Sequence, residues 1–425
     1  MKFLGFLLLS IVSLSLTSIV DAFNVNSIDS YGDRVVWFRS SNPSNGWDIA
    51  YAVCEKNEYV YVVGVNQRHG YHTGYEIRVE NRFKNNGEPA NIQVYNLSVS
   101  DIVYDCVIVG DYLYIVGSSY RDRDRSWLIL AVNLDLDLVR YVFSNPSEQP
   151  DVAIAVSVYG DHLYVGGVEM LGGDCRWRIE KRNLEDLSLI DEYISNPTDS
   201  CDVVSDVKVN SITGDVWIIG YEELRCRKCV ARLEILGPGL KLVKVLRPFT
   251  GCFKQSLTFD YEGNSYISGV NVLKVSRLGE RLLNSDTPAR LGVAWINGNL
   301  YSFDIDVVEG GWMPAVYMLD QNLQLKDRWK INLRLNSSLY ATSCVSTAFP
   351  VFGEPSTDGR NMYLVGTIGD PSTGDTYWII YSINVNVEKT TVLKTVLTSL
   401  FIALSLSLII LSLKYLRLKR SLQLI

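Results

Sequence analysis

Histidine is scarce: three occur among 425 residues, His69 and His72 in one stretch (RHGYH, 68–72) and His162 alone. No phosphate-binding loop, nucleophile elbow or zincin motif is present, which excludes the ordinary forms of three large enzyme classes. A His-x-x-His pair can hold a metal, but no third histidine or repeated carboxylate stands beside it in sequence, so no metal site and no cofactor are expected. A cationic surplus is missing too. The formal charge is -7, and residues 390–425 hold five basic groups and no acid while residues 1–22 cancel, leaving -12 on residues 23–389. So acidic a body argues against a nucleic-acid partner. With 47% hydrophobic and 20% charged residues, 31 Gly and 12 Pro, the chain is neither disordered nor collagen-like.

The two ends are apolar. Lys2 leads into an uncharged run over 3–20, and Val20-Asp21-Ala22 offers small side chains at a cleavage site, so residues 1–22 read as a secretory signal. The alternative is an uncleaved N-terminal anchor. Residues 395–413 carry neither charge nor proline and are long enough to span a bilayer as a helix. Lys414, Arg417, Lys419 and Arg420 follow at once, a cluster that tends to stay on the cytoplasmic side. The expected organisation is a signal at 1–22, an ectodomain at 23–389, a connector and transmembrane helix at 390–413 and a basic cytoplasmic tail at 414–425. Asn96 and Asn336 lie in Asn-x-Ser sequons, which an outside location opens to glycosylation in a host with that pathway.

Between the ends the chain repeats itself about every 50 residues. Asp48, Asp101, Asp151 and Asp202 each open a similar segment (DIAY, DIVY, DVAI, DVVS). An alternating strand closing on glycine follows, at 59–64 (YVYVVG), 112–117 (YLYIVG), 162–167 (HLYVGG) and 215–220 (DVWIIG), with weaker copies at 264–269, 299–304 and 361–366. Aromatic-led strands come next at 75–81, 127–133, 177–183 and 378–384, and a fourth marker ends in Ser-Asn-Pro at 144–146 and 195–197. Seven units of four short strands are the arithmetic of an all-β, seven-bladed propeller. A stacked solenoid of sheets is the competing fold. Residues 34–43 (RVVWFRSSNP) are a fourth-strand marker with no unit before them, and the last unit stops after its third strand near 385–387. The N-terminal strand is therefore expected to complete the last blade and close the ring, which leaves no open sheet edge between the chain ends.

These motifs resemble the SBBP-type β-propeller repeats of secreted and surface prokaryotic proteins: Asp-x-Ala at the first strand, Leu-Tyr-Val-x-Gly at the second and an aromatic-led third, most clearly over 101–220. The resemblance implies the fold and a surface location. It brings no single activity with it.

In such a ring the connections between second and third strands share a face with the crossovers between blades. Six of them, at 65–74, 118–126, 168–175, 221–228, 305–314 and 367–376, read as long loops, the usual place for binding. Arg68, His69, His72, Arg121, Arg123 and Arg125 are expected on that rim, with Asp48, Asp101, Asp151 and Asp202 nearer the channel. Those aspartates can serve as ligands to a cation or as local turn formers. The eight cysteines suit an oxidising exterior. Disulfides are expected among Cys175, Cys201, Cys226, Cys229 and Cys252, whereas Cys54, Cys106 and Cys344 fall on or beside inner strands, where buried free thiols are common. The functional expectation is a recognition or scaffolding module for a surface protein or glycan, with no catalytic set identified. A carbohydrate-active hydrolase or lyase on the same face is the alternative, since paired acids meet in space and not in sequence.

Overall fold

The computed structural model describes residues 34–44, 46–68, 74–222, 229–251, 255–308, 311–331, 355–369 and 375–385. Within them lie seven antiparallel four-stranded sheets. Six are consecutive in sequence, at 49–95, 100–144, 152–195, 203–246, 257–288 and 292–330. The seventh is shared between the chain ends: Ser356–Thr357, Asn361–Gly369 and Thr376–Asn384 supply three strands, and Val35–Ser41 lies antiparallel to Thr376–Asn384 as the fourth. The expected ring closure is thus observed. Trp37, almost fully buried on this closing strand, donates its indole N–H to the Lys84 carbonyl at 2.7 Å and so grips blade one as well. Among the described residues no helix is long and apolar enough to cross a membrane, and the run 395–413 lies outside them.

The glycine late in the second strands of blades one to four answers to a recurring irregularity. In blades one to four the first strand bulges at Tyr51, Tyr104, Ile154 and Ser205. Such an extra residue bends the strand and re-aims its side chain. The bend drives the carbonyls of Ile49, Ile102, Val152 and Val203 against Gly64, Gly117, Gly167 and Gly220, where a Cβ would stand only 2.0–2.2 Å away. No side chain fits there. The other side of three of these glycines is occupied by a tryptophan of the preceding blade, Trp378 over Gly64, Trp127 over Gly167 and Trp177 over Gly220. All three rings are completely buried, and Trp127 donates to the Val168 carbonyl at 2.9 Å. The strand glycine and the aromatic at the start of the third strand are therefore two halves of one interblade joint. In blade one the aromatic-led marker sits two residues early, because Ile77, paired with Val65, takes the place that Trp127 takes opposite Ser118.

Some joints carry buried charge and others are apolar. On the third strands of blades one and three, Arg78-x-Glu80-x-Arg82 and Arg178-x-Glu180-x-Arg182 place a fully buried glutamate between two guanidinium groups. Arg82 and Arg182 also donate to the carbonyls of Gly87 and Leu187, at 2.8 and 2.6 Å. Blade four repeats half of the device with Arg232 and Glu234. The Ser of two of the three Ser-Asn-Pro turns now has a reason: Ser144 and Ser195 donate to Glu180 and Glu234 of the following blade, at 2.9 and 2.7 Å. Blade two has Leu128, Leu130 and Val132 at the equivalent positions, all in the apolar core against blade one.

Two disulfides join the described residues, Cys54–Cys106 and Cys175–Cys201. The second falls within the expected loop set. Cys54–Cys106 corrects the expectation of free thiols: the inner strands of blades one and two lie side by side, and the two cysteines, one residue out of step in the repeat, meet across them. Cys229 is likewise disulfide-bonded, while Cys226, Cys252 and Cys344 lie outside the described residues.

Candidate functional site

First strands begin, and second strands end, on one face of the ring. The four repeated aspartates stand there, and all four are fully buried. Asp151 accepts from the Ser147 N–H and hydroxyl at 3.0 and 2.9 Å and from the Met170 N–H at 2.9 Å. Asp48 takes the same bonds from Ser44 and from the Gln67 N–H. Asp101 is held by Leu97, Ser98 and Ser119, and Asp202 by Thr198. Each carboxylate clasps its crossover loop, and Asp48, Asp101 and Asp151 also tie that loop to the second strand of the blade; these are the bonds of local turn formers, one of the two roles that the sequence left open. Burial pushes the carboxyls of Asp48 and Asp151 up against the opposing pull of these donors. Among the described residues no three His, Cys, Asp or Glu side chains converge as a metal site.

The expected long loops of blades two and three are also corrected. Strands Tyr112–Arg121 and Asp124–Asn133 continue to a two-residue turn at Asp122 and Arg123, whose φ angles of 49° and 70° give the mirror-image turn that suits a twisted hairpin. Gly172 and Gly173 make the same turn between His162–Leu171 and Asp174–Asn183. What projects from this face is thus stiff ribbon. Arg121 and Arg123 are exposed at the first tip, Arg121 stacking over the Phe143 ring at 4.0 Å. Arg125 is turned inward, bonding Ser118 at 3.0 Å, and its charge opposes the burial that raises the phenols of Tyr51 and Tyr104. Those two bulge residues meet edge-on at 5.2 Å. Arg68 is a brace as well, donating to Glu76 and to the Ser98 and Val99 carbonyls of the next crossover. His69 and His72 lie outside the described residues.

Four apolar side chains that the motifs did not flag complete the face. Trp47 (49% exposed) and Val99 (60% exposed) sit on the crossovers into blades one and two, and exposed Tyr120 and Leu171 sit on the two hairpin tips. Trp47 is fixed by its N–H to the Gln67 side chain at 3.0 Å. The available signal was position: a large apolar residue next to a clasp aspartate or a tip turn has no core to enter. A separate groove of about 720 Å³ lies between blades four and five, where Arg247, paired with Glu222, stands with Phe249, Leu273 and Arg281 in its lining.

No family model matches the chain, and no curated protein does. Solved structures with similar folds include Chaetomium thermophilum Sqt1 (TM-score 0.44, 10% identity, 84% of this chain and 99% of that one). An acylaminoacyl peptidase from Pyrococcus horikoshii gives 0.44 and 10% over 76% of this chain and 50% of its own. A Bacteroides caccae protein of unknown function gives 0.40 and 11% over 62% and 85%. The fold is an all-β, seven-bladed propeller.

Proposed function

We propose that this chain is a membrane-anchored, extracellular recognition or scaffolding module of the SBBP-repeat type, which binds a surface protein or glycan through its hairpin face. One observation carries the reading. Trp47, Val99, Tyr120 and Leu171 are exposed beside Arg121 and Arg123 on one face of blades one to three, each on a crossover or ribbon tied to the frame. Exposed aromatic and arginine side chains on rigid supports are the composition of binding hot spots. Preorganisation keeps the ordering cost of association low. Exposed Asn96 stands on the same crossover as Val99, so the proposed glycosylation there would flank the binding face; Asn336 is outside the described residues.

The test is retention of surface glycans and envelope proteins on immobilised protein, measured for the native chain and for Y120A/R121A/R123A. Loss of about tenfold or more in affinity is expected, roughly 1.4 kcal/mol spread over three tip residues. Binding that survives these changes, or polysaccharide turnover by the purified protein, overturns the reading.

A further inference from the structure

The opposite face of the ring carries a second apolar surface, and the chain itself says what covers it. Turns between first and second strands are shingled there from blade to blade. A Cβ on Gly214 would stand 3.3 Å from the Tyr159 ring, a Cβ on Gly263 would stand 3.2 Å from Ile212, and Tyr261 meets Trp295 edge-on at 6.3 Å. Asn297 of blade six then donates to the Gly359 carbonyl of blade seven. Along this arc Tyr159 and Ile212 are exposed, and Tyr261 is 73% exposed. Leu278, 70% exposed on the outer turn of blade five, extends it, with Arg277 exposed next to it and Lys241 exposed on the corresponding turn of blade four.

The first and last described residues, Arg34 and Val385, both lie on this same face. Val385 donates its N–H to the Arg360 carbonyl in the blade-seven turn, and Asn384 donates to Arg34 at the start of the closing strand. Nine residues, 386–394, separate Val385 from the apolar run at 395, an extended reach of roughly 30–35 Å. A bilayer entered by that run lies within that reach of the face that carries the arc.

We propose that this face rests in the membrane interface, tilted onto blades four and five; the inference rests on the anchored reading above. Ile212, Tyr261 and Leu278 enter the headgroup region, and Lys241 and Arg277 meet lipid phosphates, the division of labour of interfacial surfaces. The tilt follows from charge. On the same face, blades four and five expose Glu262 and Glu280 against Lys241 and Arg277 and so balance, whereas blades one to three expose Glu58, Asp111, Asp135, Asp161 and Glu185 and no fully exposed cation, a surplus that anionic headgroups repel. The anchored propeller consequently presents its hairpin face away from the bilayer.

Full-length chain in vesicles of phosphatidylcholine and phosphatidylglycerol (3:1), carrying a photoreactive benzophenone side chain at position 261, 278, 111 or 123, tests this. Lipid adducts at 261 and 278 at least tenfold above those at 123, with 111 near the level of 123, are expected. Equal yields at 261, 278 and 123 overturn the docking, as do adducts to a second copy of the chain in place of lipid. Alkaline extraction of the same vesicles separates the two readings. A chain that resists extraction yet leaves 261 and 278 unlabelled refutes the docking alone, and a chain released by alkali refutes the anchor and the docking together.

Discussion

Deleting residues 34–41 is expected to lower the melting temperature by about 10 °C or more, or to abolish the cooperative transition. Those residues supply the outer strand of blade seven, registered from Val35 opposite Ile383 to Ser41 opposite Trp378. They also supply Trp37, whose ring fills the space above Gly87 of blade one and packs among Ala50, Val60, Val62 and Trp378. Truncating a buried tryptophan alone costs about 3–5 kcal/mol. Total stabilities run at about 5–15 kcal/mol, so the strand's hydrogen bonds and the exposed edge of blade seven come on top of a loss already large. Differential scanning calorimetry of native and truncated chains checks this. An unchanged melting curve would mean that the first and last blades hold together without the closing strand.

Glu80→Ala should destabilise by about 3–5 kcal/mol, because it strands Arg78 and Arg82 beside a dry interblade joint. Replacing all three charges together should cost much less. The triple variant R78L/E80L/R82V writes into blade one the apolar pattern that blade two already uses at Leu128, Leu130 and Val132. The residual cost is the Gly87 carbonyl, which loses the Arg82 donor. Urea unfolding of the three proteins gives the comparison. A triple variant as unstable as E80A would show that volume and shape, and not an unpaired buried charge, set the penalty at this joint.

Repetition made the ring legible. The spacing of Asp, strand glycine and Ser-Asn-Pro reflects joints built once and used several times, and residues 34–43 stood out as a fourth strand lacking its unit. Period-two alternation leaves a strand ambiguous by two residues, which is how the blade-one marker came to begin at Tyr75 although Ile77 fills the joint. Charge misdirected the reading elsewhere. Arg121-Asp-Arg-Asp-Arg125 has the composition of a loop, yet Asp122 and Arg123 take left-handed backbone angles and let two strands run to the tip. Arg78-x-Glu80-x-Arg82 has the composition of a solvated strand and no motif marks it, yet its glutamate is fully buried. The Cys54–Cys106 bond was invisible because ring curvature, not spacing, brings neighbouring inner strands together. The same holds for the candidate binding face: Trp47, Val99, Tyr120 and Leu171 converge only when three blades are set side by side.

Closure of the ring by the N-terminal strand underlies everything else, and a cysteine pair can trap it directly. Phe38 and Tyr381 are register partners whose rings stack at 4.9 Å. Directly opposed residues of antiparallel strands stand about 4.5–5.5 Å apart at Cα, within the range a disulfide spans. In F38C/Y381C, peptide mapping of the unreduced full chain should show a new bond linking positions 38 and 381, while F38C/Y377C, four residues out of register, should leave both thiols free. Free thiols in F38C/Y381C, or bonding in the offset pair and not in the matched one, would contradict the closed seven-bladed ring.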